Sequence, residues 1–557
     1  MENKAIARQF RLLSQLMELY DENSFKVRSI ANASFKIDKL LFRLADKPLD
    51  EIEKIDGIGK STAAKVWELI TTNHISELDQ FLEQTPDGIL EIMSIKGLGP
   101  KKVKVIWQDL EIENIGELYY ACNENRLIEA KGFGLKTQEE IRNAIEFKMA
   151  SNGRFIYAKV EATANRWLNV LKDQFPDSLV SFTGQVRRRC EIIDSLDFLI
   201  GTLQQTEAFT VGDETFSISG TDNTKFQTEV EGLKINISFC EKEHFTYYLF
   251  VQTGSEAHTP QVLEKLGDNK AFDTEEALYK AAGLQYIEPE LREGLNEIEL
   301  AAMNKLPELI TFADLKGSLH NHSTWSDGVN TLEEMALFCR DELKLQYFGI
   351  ADHSKTAVYA KGLSEIRVLA QHDEIDLLNN KLAPFKILKG IESDILYDGS
   401  LDYPVEILST FDYVVASVHS VFKMSEDRAT ERLVKAIENP YTTILGHPTG
   451  RLLLSRNGYP INYKKIIDAC AENGVVIEIN ANPLRLDLDW RWHRYAIEKG
   501  VILSINPDAH RKEGFYDMHF GVLAARKGGV SKENCLNAMS LEEISNFLDK
   551  KRSAITV

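Results

Sequence analysis

Leu319-His320-Asn321-His322-Ser323-Thr324-Trp325-Ser326-Asp327-Gly328 places two histidines two positions apart and a carboxylate five residues beyond the second. In an extended chain alternate side chains share a face, so His320 and His322 point the same way. Two imidazoles and a nearby carboxylate at the end of a strand are a metal-ligand arrangement. Taken alone, the trio is a weak signal.

The pattern repeats outward from it. Tyr347-Phe348-Gly349-Ile350-Ala351-Asp352 leads to His353, and Phe385-Lys386-Ile387-Leu388-Lys389-Gly390-Ile391 leads to Glu392. Apolar runs precede His419 (from Phe411) and His447 (from Thr442), and Val501-Ile502-Leu503-Ser504-Ile505-Asn506-Pro507 precedes Asp508 and His510. Short buried strands alternating with longer amphipathic segments read as βα units, which gather the residues after each strand at one end of a parallel barrel or sheet. His320, His322, His353, His419, His447 and His510 bring imidazoles there, and Asp327, Glu392 and Asp508 bring carboxylates; half of the chain's 12 histidines are in this set. Mixed imidazole and carboxylate donors suit zinc, manganese or iron better than calcium or magnesium. So many donors imply more than one ion, and clustered metals can activate water and stabilise phosphoryl oxygens.

On these residues the segment from Asp314 to the C-terminus resembles the PHP-type phosphoesterases. The resemblance implies a distorted (β/α)7 barrel with a three-metal centre. By it, His320, His322, Glu392 and Asp508 serve one metal, Glu392, His419 and His447 a second, and Asp327, His353 and His510 a third. Water activated at His320, His322, Glu392 and Asp508 is the expected nucleophile. Lys355, Lys361, Arg451, Arg456 and Arg485 fall in loops after barrel strands, the face where substrate phosphate is expected.

The chain's 557 residues leave room for several domains. Its formal net charge of −20 argues against coating nucleic acid through general basicity, so DNA contacts have to come from local patches and backbone amides. Cys122, Cys190, Cys240, Cys339, Cys470 and Cys535 are scattered without paired spacing, as expected of reduced thiols in a cytoplasmic protein. Met1-Glu2-Asn3-Lys4 is followed by mixed polar residues, and no apolar run reaches membrane-span length. The expectation is a soluble intracellular enzyme with no membrane partner, most simply a monomer.

The N-terminal region has helical periodicity through Leu12, Leu13, Leu16, Met17 and Leu19, and again through Ile37, Leu40, Leu41 and Leu44. Ile55-Asp56-Gly57-Ile58-Gly59-Lys60 forms a tight turn whose amides open a helix. It recurs as Ile95-Lys96-Gly97-Leu98-Gly99-Pro100-Lys101-Lys102 and more loosely as Ala130-Lys131-Gly132-Phe133-Gly134-Leu135-Lys136. Outward amides at a helix start, with lysines beside them, suit a DNA phosphate without reading a base. The repeats therefore predict helix-hairpin-helix contacts to the DNA backbone through Gly57, Gly59, Lys60, Gly97, Gly99, Lys101 and Lys102.

Strand character rises at Leu179–Phe182, Ile192-Ile193, Leu196–Ile200 and Leu233–Phe239. Together with Tyr286-Ile287-Glu288-Pro289-Glu290-Leu291-Arg292-Glu293 and the turn Thr253-Gly254-Ser255, this half resembles the bacterial family-X DNA polymerases, in which a polymerase region precedes a PHP domain. The implied architecture is multidomain. It has a small helical domain with a hairpin (1–82), a fingers-like helix-hairpin-helix region (83–150), an α/β nucleotidyltransferase-like palm (151–240) and a thumb (241–300). A linker (301–313) then leads to the barrel (314–557).

The palm departs from that family where nucleotide transfer would occur. Gly184-Gln185 stands in place of Gly-Ser before Arg187, Arg188 and Arg189, which are candidate phosphate contacts. Ser195-Leu196-Asp197 replaces Asp-x-Asp, and Asn236 replaces the third carboxylate. Asp194 lies three residues from Asp197, an offset that sends it to the opposite face of a strand. One carboxylate of three holds too little charge for paired magnesium ions. Lys65 falls where lyase-competent relatives place a Schiff-base lysine, and reads as a helix-surface residue.

The resulting expectation is a metal-dependent phosphoesterase acting on gapped, nicked or damaged DNA ends. The family implies 3′-5′ exonuclease, 3′-phosphatase and abasic-site endonuclease activities in DNA repair, with a silent palm positioning DNA. The alternatives are a residual gap-filling polymerase with PHP proofreading, a small-molecule phosphatase of the histidinol-phosphate type, and a non-catalytic DNA-end scaffold.

Overall fold

Three glycine turns organise the first part of the chain. Gly57, Gly97 and Gly132 take φ values of 82°, 94° and 89°, a left-handed conformation that glycine adopts without strain. In each turn the next amide closes onto the carbonyl three residues back: Ile58 to Ile55 (2.9 Å), Leu98 to Ile95 (3.1 Å) and Phe133 to Ala130 (3.1 Å). A helix then begins after the second glycine, as Lys60–Thr72, Pro100–Lys104 and Leu135–Ala150. Ile58 and Leu98 are buried, so the first two turns are anchored by the apolar residue between their glycines. The periodicity expected through Leu44 is not one helix. The helix Ser24–Lys39 stops there, Leu40 is extended at ψ 134°, and Leu44 opens a short 3-10 turn, Leu44–Asp46. Helical spacing of apolar residues persisted across a break in the backbone, and Leu41 lies outside the described residues.

The computed structural model describes residues 1–557 except 41, 129, 151–152, 203–207, 212–213, 218–224, 231 and 556–557. They form two compact units, Met1–Glu146 and Phe147–Val557. In the second, the first strands are β1 (Phe155–Ile156), β2 (Val180–Phe182), β3 (Ile192–Ile193), β4 (Ser195–Ile200), β5 (Ala208–Val211), β6 (Glu214–Ser217), β7 (Lys225–Val230) and β8 (Leu233–Phe239). A mixed sheet of order β2-β4-β8-β7 packs on the helix Tyr157–Gln174 through Val160, Ala164, Trp167 and Leu171.

The rest is a ring of parallel strands: β9 (Gly317–Ser318), β10 (Tyr347–Gly349), β11 (Lys386–Leu388), β12 (Gly390–Asp394), β13 (Tyr413–Ser417), β14 (Ile444–Leu445), β15 (Val476–Asn480) and β16 (Leu503–Asn506). β11 and β12 are halves of one stave broken at Lys389, the first pairing with β10 and the second with β13. An Asn321–Ala509 bridge, with the His322 amide donating to the Ala509 carbonyl at 2.9 Å, joins the last strand to the first. The barrel is therefore closed with seven staves, as the (β/α)7 expectation has it. Tyr347 and Tyr413 fill its interior, and Ile544 and Leu548 of the C-terminal helix pack into the same core. A Cβ on Gly390 would lie 2.2 Å from the Tyr413 ring, so this position must lack a side chain.

Candidate metal centre

The strand ends bring the nine predicted donors together. β9 delivers His320 and His322, and the Asn321–Ala509 bridge sets them against Asp508 and His510 from the end of β16. A parallel His353–Glu392 bridge does the same for the segment after β10. Glu392 lies inside β12 and occupies the middle of the cluster. Its carboxylate is 3.2 Å from His320 Nε2, 3.0 Å from His353 Nδ1, 3.1 Å from His419 Nε2 and 3.0 Å from His447 Nε2. Asp508 lies 3.0 Å from His322 Nε2, and Asp327 lies 3.5 Å from both His353 Nε2 and His510 Nε2.

Four sets of donor atoms, each within 4.8 Å of one another, account for all nine residues. They are His322-Asp327-His353-His510, His320-His447-Asp508, His320-His322-Glu392 and His353-Glu392-His419. His447 thus lies beside His320 and Asp508, and His322 beside the Asp327 set, groupings that the family-based partition does not contain. The chemistry of the set fits divalent cations. His320 Nε2, His322 Nδ1, His353 Nδ1, His447 Nδ1, Asp327 Oδ2 and Glu392 Oε2 are buried, and although His320 and His353 lie within 3.2 Å of Glu392, the angles complete no hydrogen bond at these atoms. Each such atom costs roughly 1–3 kcal/mol when left unsatisfied, and a cation removes that cost.

Electrostatics divides the cluster further. Burial alone would lower His320, yet the carboxylates of Glu478, Glu392 and Asp508 lift it well above the usual imidazole value. His322 moves the other way, driven by burial and by the neighbouring His510 and His353 to about 3. Against burial, Glu392 and Asp394 raise His419 to about 9. Asp327, Glu392 and Asp508 are buried too, but adjacent imidazoles hold all three well below the carboxylate range. Bound cations would take over from protons in balancing these carboxylates.

Two carboxylates that the sequence reading passed over support the histidines from behind. Glu478 on β15 is fully buried and lies 2.7 Å from His320 Nδ1, while its other oxygen accepts the His447 amide at 2.8 Å. Asn506 donates to it at 3.1 Å. Asp394 holds His419 Nδ1 in the same manner. The signal for Glu478 was present: a carboxylate and an amide inside the apolar run Val476-Ile477-Glu478-Ile479-Asn480. It went unused because no ligand-like residue follows that strand.

The expected phosphate-binding side chains are mostly engaged. Lys355 pairs with Glu365 at 2.7 Å. The Arg451 guanidinium is spent on Asp489 and on the carbonyls of Arg485 and Leu486, so it builds the loop scaffold. Arg456 donates to the Gly450 carbonyl at 2.8 Å and lies over Phe422. Arg485 is buried, and Lys361 adopts a left-handed φ of 56° in the loop after β10.

At the palm, β4 and β8 run parallel with Asp197 opposite Asn236. Asn236 Nδ2 donates to one Asp197 oxygen and Ser195 Oγ to the other, both at 2.7 Å. Asp194 sits apart, taking a hydrogen bond from Gln185 Nε2 at 2.7 Å and pairing with Arg154 at 3.4 Å. Gly184, at φ 57°, leaves the approach to Asp197 clear of any Cβ.

The basic run offered as candidate phosphate contacts is engaged within the protein. Arg187 grips Glu275 with two nitrogens (3.0 and 2.5 Å), Arg188 bonds Glu293 (2.9 Å) and the Thr253 carbonyl (2.7 Å), and Arg189 bonds the Tyr157 hydroxyl. Their partners were invisible to a local reading because they lie far along the chain. In the first unit, Lys65 pairs with Glu77 at 3.0 Å, and the ammonium of Lys102 lies 5.5 Å from the Phe133 ring centroid of the third turn.

Comparison with known proteins adds three findings. A helix-hairpin-helix domain family matches residues 1–75, and a SAM-like helix-hairpin-helix tandem matches residues 89–146. The DNA polymerase/3′-5′ exonuclease PolX of Bacillus subtilis is 33% identical over 99% of this chain and 100% of its own length. A probable phosphatase of Acetivibrio thermocellus is 31% identical over 42% of this chain and 96% of its own. One from a Thermoanaerobacter species is 31% identical over 32% of this chain and 75% of its own length. Among the described residues no helix is long and apolar enough to cross a membrane.

Proposed function

This chain belongs to the PolX family of DNA polymerase/3′-5′ exonucleases, and we propose that its hydrolytic chemistry is carried by the nine-residue cluster of the barrel while the palm transfers no nucleotide. It is a DNA-processing enzyme with helix-hairpin-helix domains. The finer reading is a 3′-5′ exonuclease, with 3′-phosphatase and abasic-site activities, that trims gapped, nicked or damaged ends during repair. One observation carries it. Six buried donor atoms of the cluster lack hydrogen bonds, whereas Asp197, the one family carboxylate kept at the palm site, faces the neutral Ser195 and Asn236, each donating to one of its oxygens.

The donors would hold up to three divalent ions, of manganese, zinc or iron; such ions lower the pKa of a water and neutralise phosphate oxygens. Glu392 lies where it can be shared between ions. Glu478 and Asp394 fix the orientation of His320 and His419. In the proposed domain plan, residues 1–82 and 83–150 hold the DNA backbone through their hairpins. The palm-like and thumb-like segments (151–240 and 241–300) seat the duplex end, and 314–557 cuts. A monomer in the cytoplasm is sufficient for this scheme.

The test uses manganese-loaded protein and a 5′-labelled primer on a gapped template, with and without dNTPs. The expected result is shortening in both cases, abolished by the double substitution His320→Ala and His322→Ala. Lengthening with dNTPs would show that Ser195 and Asn236 do not silence the palm, and would add synthesis to the activity.

A further inference from the structure

The loops that follow β13 and β14 each begin with a histidine of the cluster and then contribute to one stacked column. The Arg456 guanidinium lies 4.5 Å from the Phe422 ring centroid, and Phe422 stacks on Tyr459 at 6.0 Å and 26°. Tyr459 is held in place relative to His447, because its hydroxyl donates to the Pro448 carbonyl at 2.7 Å and its amide to the Thr449 carbonyl at 3.0 Å. Gly450 makes the close approach possible: a Cβ there would lie 3.2 Å from Phe422 and 3.3 Å from Tyr459.

Beside the column runs a groove of about 870 Å³, lined on the barrel side by Thr449, Arg456, Tyr459 and Tyr463 and on the palm side by Arg154 and Ile192. Binding sites for small ligands span roughly 300–1,000 Å³, so the groove is large enough for nucleosides. Its walls mix apolar and aromatic surface with polar groups. Arg154 and Arg451 are already paired with Asp194 and Asp489, and Glu426 adds an acid. This is not a phosphate trough. It suits the base and sugar of a strand whose phosphate is directed elsewhere.

We propose that this groove takes the single-stranded 3′-terminal segment of DNA, with a base stacked on the outer face of Arg456, which Phe422 and the buried Tyr459 back, and the following phosphate passed towards the cluster at His447. Arginine planes and aromatic faces hold bases without regard to sequence. The groove also gives the palm a physical role, since a strand leaving it at Arg154 and Ile192 enters the barrel mouth along this wall. The proposal rests on the assignment of hydrolysis to the cluster.

Two substrates separate the two claims with full-length, manganese-loaded protein: a 5′-labelled oligothymidylate and bis(p-nitrophenyl) phosphate, which is too small to need the groove. Phe422→Ala removes the ring that holds the Arg456 plane and should raise KM for the oligonucleotide about tenfold, the scale of one base stack, while leaving the small diester within about twofold. Phe422→Trp should restore the oligonucleotide KM. Unchanged oligonucleotide kinetics in Phe422→Ala overturns the groove, and a wild-type protein that cleaves neither substrate overturns the assignment beneath it. A readout independent of the variants uses wild-type protein and an oligonucleotide with a 3′-terminal phosphorothioate and 2-aminopurine at the penultimate position. Quenching at saturation is expected from stacking. Fluorescence that stays at its free value overturns the proposal.

Discussion

Glu478 touches two cluster histidines at once, His320 through Nδ1 and His447 through its amide. A carboxylate on the far nitrogen of an imidazole fixes its tautomer and raises its basicity, and loss of such a partner typically costs about 10–100-fold in metal affinity. Glu478→Ala should therefore weaken manganese binding by that order in competition with a fluorescent chelator. Unchanged affinity would mean that packing alone orients His320. At the palm the expectation is the reverse. Asp197 has only the neutral Ser195 and Asn236 on its oxygens and lies outside the metal cluster, so Asp197→Ala should leave the rate of strand shortening within about twofold of wild type, a change below the roughly 1.4 kcal/mol that marks a tenfold effect. A tenfold loss would place Asp197 in the hydrolytic path.

Short elements carry the next level of organisation. The turn Gly184–Arg187 projects Arg187 onto Glu275, which Arg292 also reaches at 2.5 Å. Burial pushes the Glu275 carboxyl up, but the Arg187 hydrogen bond and the Arg292 charge prevail and hold it at about 2, against an ordinary value of 4.5. A depressed carboxylate stabilises the fold fully above its unfolded pKa, and that stability is lost as pH falls from 4.5 through about 2. The linkage amounts to about 3 kcal/mol. Urea unfolding should show Glu275→Gln well below wild type at pH 7, with the gap closing by about pH 2 as the wild-type carboxyl protonates. A gap of constant size would attribute the loss to packing. At this scale the sequence was unevenly legible. The expected strand Leu233–Phe239 is the observed β8, because alternating apolar residues in a half-buried strand leave a period-two record. The helix end at Lys39 left none, since Leu40 and Leu44 keep helical spacing after the backbone has turned extended. Nothing local marked Arg187, Arg188 and Arg189 as ties to Glu275, Glu293 and Tyr157.

Within the second unit, the β1–β8 segment, the helical segment that follows it and the barrel share one set of buried contacts. Lys527 of the barrel helix Met518–Lys527 is buried among Glu293 and the carbonyls of Arg188 (3.2 Å) and Glu290 (3.5 Å). Arg526 bonds Glu290 at 2.8 Å, and Glu191 of the palm receives Trp490 and Arg491, each at 3.0 Å. Phe520 and Leu523 of the same helix pack on the palm core. Removing one partner from a buried charge network costs about 3–5 kcal/mol. In calorimetry the wild-type second unit should melt in one transition, and Lys527→Ala should lower stability by that order and split it, the segments before the barrel melting first. One undivided transition at the wild-type temperature would show that the apolar contacts suffice.

The class of chemistry and the barrel that carries it are legible in the amino-acid order alone. Metal-ligating residue types recur at the ends of all the barrel's apolar staves but β15, and a βα barrel turns that linear rhythm into one mouth. The same order also sets the hairpin turns, because the left-handed φ at the first glycine of each pair is a local requirement. Only the tertiary structure decided which donors lie beside which and that Glu478 supports two of them from a strand with no ligand of its own. It alone decided, too, that the arginine run is spent inside the protein. Those outcomes depend on partners up to hundreds of residues away, brought close by ring closure and by burial of charge, and no local pattern records them.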